Sequence, residues 1–189
     1  MPDPGDEARG ARPSARPSLS PRQTWIALLA LGLTAFFAFA ARRASSWTAL
    51  ISMGYPEVKW VDGETLSRWM DGPPDQELVL LDVRTAEEQQ VSHLRDAWHL
   101  DASKPRIEAL TIPEGATVVV YCSIGYRSAA IVEDLKRAGI DNIYNLEGGL
   151  FGWANEDRPI YRGTDRVDEV HPFNGVWGLL LRSDQRAEN

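Results

Sequence analysis

Thr117-Val118-Val119-Val120-Tyr121-Cys122-Ser123-Ile124-Gly125-Tyr126-Arg127-Ser128 carries the strongest structural signal in the chain. Its first half is β-branched and continuously apolar, as expected of a strand buried on both faces. Its second half is a tight turn containing glycine. Beyond it Ala130, Ile131, Leu135 and Ala138 recur at helical spacing, so a helix is expected from about Arg127 to Ala138, stopped by Gly139. The same alternation repeats on either side of this strand–loop–helix unit. Upstream, Val58 to Val61 reads as a short strand. Asp62 then caps a helix presenting Leu66, Trp69 and Met70, and Asp71-Gly-Pro-Pro74 ends it. Glu77 to Val83 is a second apolar run, Thr85-Ala-Glu-Glu88 a capping box opening a short helix, and Ala97 to Leu100 a weaker strand. Downstream, Asn142 to Leu146 is another strand, and Glu147-Gly-Gly149 turns into a last helix holding Phe151 and Trp153. Alternating strands and helices predict an α/β fold, a mainly parallel sheet flanked by helices.

Composition narrows the possible functions. The 189 residues carry a formal net charge of -7, with 43% hydrophobic and 25% charged residues, a globular balance. No basic cluster offers contacts to phosphates, so nucleic acid is not an expected partner. Cys122 is the one cysteine. The fold therefore needs no internal disulfide, and a cysteine-rich zinc site is excluded. His93, His99 and His171 are too scattered in sequence to suggest a metal centre, so no metal and no cofactor is expected.

The ends differ from the middle. Residues 1–23 are rich in Pro, Arg, Ser and Gly and read as a disordered tail. Residues 24–45 contain an uncharged apolar run from Trp25 to Ala41, expected to form an N-terminal hydrophobic helix. At roughly 1.5 Å per residue it would reach about 25 Å, close to the ~30 Å hydrocarbon core of a bilayer. The expectation is a single-pass membrane anchor, with a cleaved signal peptide at Ala38-Phe39-Ala40 as the competing reading. The small excess of arginine before the run favours an extracytoplasmic domain. Residues 163–189 form a C-terminal extension, whose apolar Phe173, Val176, Trp177, Leu179, Leu180 and Leu181 either pack on the domain or meet a membrane surface or a partner.

Cys122 ends the central strand, and sites in open parallel sheets form beyond the carboxyl ends of strands. A tight loop leading into a helix can turn its N–H groups inward to bind an anion, with the positive end of the helix behind it. Gly125 permits the backbone geometry this needs. Such a cradle would accept a thiolate and then a persulfide anion. No His or Asp lies in the loop to act as a base, so the Cys-His protease arrangement does not apply.

Cys122 to Ser128 resembles the Cys-x-x-Gly-x-Arg active-site loop of rhodanese-like domains. Leu80-Leu-Asp-Val-Arg84, then Glu87 and Glu88, then His93-Leu94 resembles the family's upstream motif. Leu146-Glu-Gly-Gly149 with Trp153 and Pro159-Ile160 resembles its C-terminal motif. The resemblance implies a rhodanese-like domain over residues 55–162 and a sulfurtransferase with Cys122 as the persulfide-forming nucleophile. It also implies that Ser123, Ile124, Gly125, Tyr126, Arg127 and Ser128 form the substrate cradle, with Arg127 either holding an anionic donor or bracing the loop. Asp82, Arg84 and His93 are expected to support the structure. The partners so implied are a small-molecule sulfur donor such as thiosulfate and a thiophilic acceptor; a protein partner is left open.

Ser92 and Arg95-Asp96 depart from the family's Gly-His and Pro-Gly pattern in a surface turn. The alternative reading is a membrane-tethered, non-catalytic binding or scaffold module, since fold does not dictate function. Cysteine-based phosphatases are disfavoured because their loops place five residues between Cys and Arg, whereas Ser123 to Tyr126 are four.

Overall fold

The structure is a computed structural model and describes residues 46–72 and 77–188. Its elements run α1 (Ser46–Gly54), β1 (Trp60–Val61), α2 (Gly63–Met70), β2 (Leu78–Asp82), α3 (Ala86–Val91), β3 (Trp98–His99), β4 (Thr117–Tyr121), α4 (Tyr126–Arg137), β5 (Ile143–Leu146), α5 (Gly149–Asn155), β6 (Ile160–Arg162) and β7 (Asp165–Val167). Single 3-10 turns lie at Ile107–Ala109, Trp177–Leu180 and Ser183–Gln185. Five strands form one sheet in the order β1-β5-β4-β2-β3. All its pairings are parallel. β6 and β7 form a separate antiparallel hairpin.

The apolar runs of β2 and β4 are divided by the pleat. Successive side chains point to opposite faces, so Val79, Leu81, Val118 and Val120 enter one core with α4 residues Val132 and Leu135. Leu80, Val119 and Tyr121 enter the other with Leu66 of α2 and Leu150, Phe151 and Trp153 of α5. Both faces are covered, which is why these strands read as continuous apolar runs and not as alternating ones. Leu81 has no exposed surface. Leu81→Ala is expected to lower stability by about 3 kcal/mol, seen as a lower urea midpoint with an unchanged slope.

Local chemistry sets the helix starts. Asp62 Oδ1 accepts the Thr65 N–H at 2.7 Å ahead of α2. Thr85 and Glu88 form a reciprocal capping box ahead of α3. The order of strands and helices follows the sequence expectation, with β1 and β3 shorter than expected. α1 was not expected from the sequence; it packs Ile51 into the first core.

The expected single-pass membrane localisation is corrected. Among the described residues no helix is long and apolar enough to cross a membrane. α4, at 12 residues, spans only about 18 Å at the usual helical rise and carries Arg, Glu, Asp and Lys side chains. The hydrophobic helix expected over residues 24–45, like the tail expected over 1–23, lies outside the described residues.

Candidate active site

Cys122 follows the last residue of β4, at the carboxyl end of the sheet, and leads through Ser123 and Ile124 to Gly125, which caps α4. Gly125 has φ +97°, and a Cβ there would also sit 3.1 Å from the Trp60 ring. The turn is held by three hydrogen bonds, one from β5 and two from α5. The Asn145 side-chain amide donates to the Gly125 carbonyl at 2.8 Å. The Leu150 N–H donates to the Cys122 carbonyl at 2.8 Å, and the Phe151 N–H to the Ser123 carbonyl at 3.0 Å. With these carbonyls tied away, the Gly125 N–H donates to Cys122 Sγ at 3.2 Å. The Ser128 hydroxyl approaches the same sulfur at 3.5 Å. α4 begins at this point, and the first N–H groups of a helix have no internal acceptor.

Arg127 braces this loop. Its guanidinium makes two 2.8 Å hydrogen bonds to the Glu88 carboxylate and one of 3.0 Å to Ser123 Oγ. Ser123 Oγ–H in turn donates to Glu88 Oε1 at 2.7 Å. Burial alone would push the Glu88 carboxyl up, but the bonds from Arg127 and Ser123 outweigh it and hold its pKa at about 2. Burial would likewise lower Arg127, and the bond to Glu88 together with the nearby Cys122 sulfur reverses that. The pair is therefore ionised on both sides.

Asp82, Arg84 and His93 bond to groups other than the sulfur. Asp82 and Arg84 form a fully buried ion pair, 2.6 Å between Nη2 and Oδ2. Arg84 also donates to the Ser92 carbonyl. The Tyr121 hydroxyl donates to Asp82 at 2.9 Å and receives the Leu94 N–H at 3.1 Å. Burial, then the neighbouring Asp82, pushes the Tyr121 phenol well up, so it stays a neutral donor. His93 Nε2 accepts the Gly163 N–H at 3.1 Å, so Nδ1 carries the hydrogen and donates to the Leu94 carbonyl at 2.8 Å. Its backbone bridges to Tyr161 of β6. These three residues fix the strand ends and the hairpin.

A family model described as a rhodanese-like domain matches residues 64–156. A sulfurtransferase of Allochromatium vinosum is 33% identical over 103 residues, covering 54% of this chain and 94% of that protein. The chain belongs to the rhodanese-like family. A tRNA uridine(34) hydroxylase of Burkholderia lata is 32% identical over 123 residues, covering 57% of this chain and 43% of that protein. The chain spans about half the length of several of the curated relatives it matches. The thiosulfate sulfurtransferase structure from Pseudomonas aeruginosa shares the fold, with a TM-score of 0.51 at 21% identity, covering 64% of this chain and 24% of that one.

In this rhodanese-like domain Cys122, itself 1% exposed, lies at a cleft of about 360 Å³. Ser123, Ile124, Tyr126 and Arg127 of the sequence-expected cradle line it too; Gly125 and Ser128 are not among the lining residues but contact the sulfur. Three contributions were missed by sequence reasoning. Glu88 was read as a helix cap, although its place in the family-like motif was a signal. Gly149 was read as part of a turn, yet an added Cβ would collide with the Cys122 carbonyl and sit 2.7 Å from the Ser123 carbonyl carbon and oxygen. The outer walls of the cleft come from α1 and the C-terminal extension, and no motif marks them.

Gly149 also has φ +57°. Gly149→Ala is expected to cost about 2 kcal/mol or more from strain and collision. The melting temperature should fall as the carbonyls of Cys122 and Ser123 lose their donors on α5.

Proposed function

We propose that this protein is a sulfurtransferase that moves sulfane sulfur from a donor such as thiosulfate to a thiophilic acceptor through a persulfide on Cys122. The observation that carries the reading is Cys122 at the floor of a cleft, its sulfur receiving the Gly125 N–H at 3.2 Å at the start of α4. Family membership supports it, and so does the sulfurtransferase relative matched over nearly its whole length.

In the first step the Cys122 thiolate attacks the outer sulfur of thiosulfate. The Sγ–S bond forms, the S–S bond of the donor breaks, and sulfite leaves with the bonding pair. The product is a persulfide anion, held by the N–H groups from Ser123 to Ser128. In the second step cyanide or a thiolate attacks the terminal sulfur. Thiocyanate or a new persulfide leaves, and the Cys122 thiolate returns. No redox partner or metal is needed for this exchange. Arg127, turned to Glu88 by two hydrogen bonds, acts by bracing the loop. That placement favours sulfur transfer over phosphate chemistry, in which the arginine must face the substrate.

The test is incubation of the protein with thiosulfate and cyanide, following thiocyanate. Mass spectrometry after the donor alone should show one added sulfur atom on Cys122, with ping-pong kinetics in steady state. No mass gain from any donor and no turnover would sink the enzymatic reading and favour the non-catalytic binding module.

A further inference from the structure

The cleft above Cys122 differs in character from the loop beneath it. Trp47, Leu50 and Ile51 of α1 line the cleft together with Phe173 and Trp177 of the C-terminal extension. At about 360 Å³ it lies in the range of small organic ligands, and an inorganic thiosulfate ion would fill a small part of it. Among the described residues lining it, Arg127 is the one cation. That charge is already matched by the bidentate bond to Glu88. The Phe173 ring covers the guanidinium at 4.7 Å. A doubly charged donor would therefore leave water for apolar walls without gaining a free counter-charge, an unfavourable exchange.

The walls are built in place. The Trp47 and Trp177 rings meet edge to face at 5.3 Å. Thr48 Oγ1 accepts the Gly148 N–H at 3.2 Å, which ties α1 to the turn leading into α5. Phe173 adopts φ +63°, a left-handed conformation that aromatic residues rarely take, in a turn held by its N–H donating to His171 Nδ1 at 3.0 Å. Trp47, Leu50 and Phe173 remain 38%, 60% and 42% exposed, which leaves apolar surface for a ligand to cover.

We infer that this cleft selects an organic sulfane-sulfur donor, bearing an apolar group of aromatic size and at most one charge, over inorganic thiosulfate. The inference rests on the sulfur-transfer reading of Cys122. For an organic persulfide RSSH, the Cys122 thiolate attacks the terminal sulfur. The Sγ–S bond forms, the donor S–S bond breaks, RS⁻ leaves with the electron pair, and Cys122 carries the S–SH group. For an arylthiosulfonate the leaving group is the arylsulfinate. The organic group would sit between Leu50 and Phe173 while its sulfur meets Sγ.

The full chain should be assayed with thiosulfate, methanethiosulfonate and benzenethiosulfonate as donors and cyanide as acceptor. The two thiosulfonates carry the same charge and differ in the ring. Benzenethiosulfonate should exceed methanethiosulfonate in kcat/KM by about tenfold or more, from the apolar area it buries, mainly through KM. The KM for thiosulfate should be the highest of the three. Leu50→Ser, at a position 60% exposed, and Phe173→Ala should each reduce the aryl-to-methyl ratio severalfold. Equal kcat/KM for the two thiosulfonates, a lower KM for thiosulfate, or a ratio unmoved in both variants would overturn the inference. If no donor adds sulfur to Cys122 by mass spectrometry, the sulfur-transfer reading falls and this inference with it. That outcome is distinct from transfer without aryl preference.

Discussion

Replacing Cys122 by serine is expected to abolish sulfur transfer. Serine can occupy the same turn and receive the Gly125 N–H that now reaches Sγ at 3.2 Å. It cannot form a persulfide, and its hydroxyl is a far weaker nucleophile than a thiolate without a neighbouring base. Thiocyanate formation should fall to background, about a thousandfold or more below the wild type, and no donor should add sulfur to the protein. The fold should survive. Cys122 is a buried member of the first core, but serine nearly matches it in size, and the melting temperature should move by less than about 5 °C. A variant that kept substantial turnover would show that the sulfur is carried elsewhere.

Removing the charge of Glu88 is expected to be the most damaging change outside the sulfur itself. Its side chain is 1% exposed and serves Arg127, Ser123 and the Thr85 N–H together. Glu88→Gln leaves Arg127 part-buried without its counter-charge and breaks the bidentate geometry. A loss of about 3 kcal/mol is expected, with slower transfer because Ser123 and Arg127 no longer fix the loop. The pH dependence follows from the same contacts. Folding holds Glu88 at about 2, against 4.5 when free of them. Because the folded value is the lower one, its contribution is fully present above the unfolded value and is lost as the pH falls through the folded one. A difference of this size corresponds to about 3 kcal/mol. Urea midpoints at a series of pH values from neutral down to about 2 should show this loss in the wild type, and a correspondingly shallower fall in Glu88→Gln. Parallel curves for the two proteins would mean that Glu88 contributes no such stabilisation.

Much of the fold was legible because its signals are local. The β-branched run from Thr117 to Tyr121 specifies a strand, and its lack of alternation reports burial on both faces. Asp62 and Thr85 announce helix starts through hydrogen bonds that span a single turn. The Cys122 to Ser128 loop was equally legible, since its geometry depends on a glycine at a fixed offset and on the helix that follows. β1 and β3 were read too long because their ends lie at the sheet edges, where neighbours and not propensity decide how far pairing runs.

The chain thus determined, through period and turn chemistry, which segments alternate and where a nucleophile would stand. Tertiary packing alone decided what surrounds Cys122. Arg127 could have faced a substrate or a carboxylate; Glu88, 39 positions away in sequence, takes it. α1 and the C-terminal extension meet through Trp47 and Trp177 and wall the cleft with apolar rings. Contacts of that kind join residues far apart in the chain, and their geometry exists only once the sheet and its covering helices have closed around them.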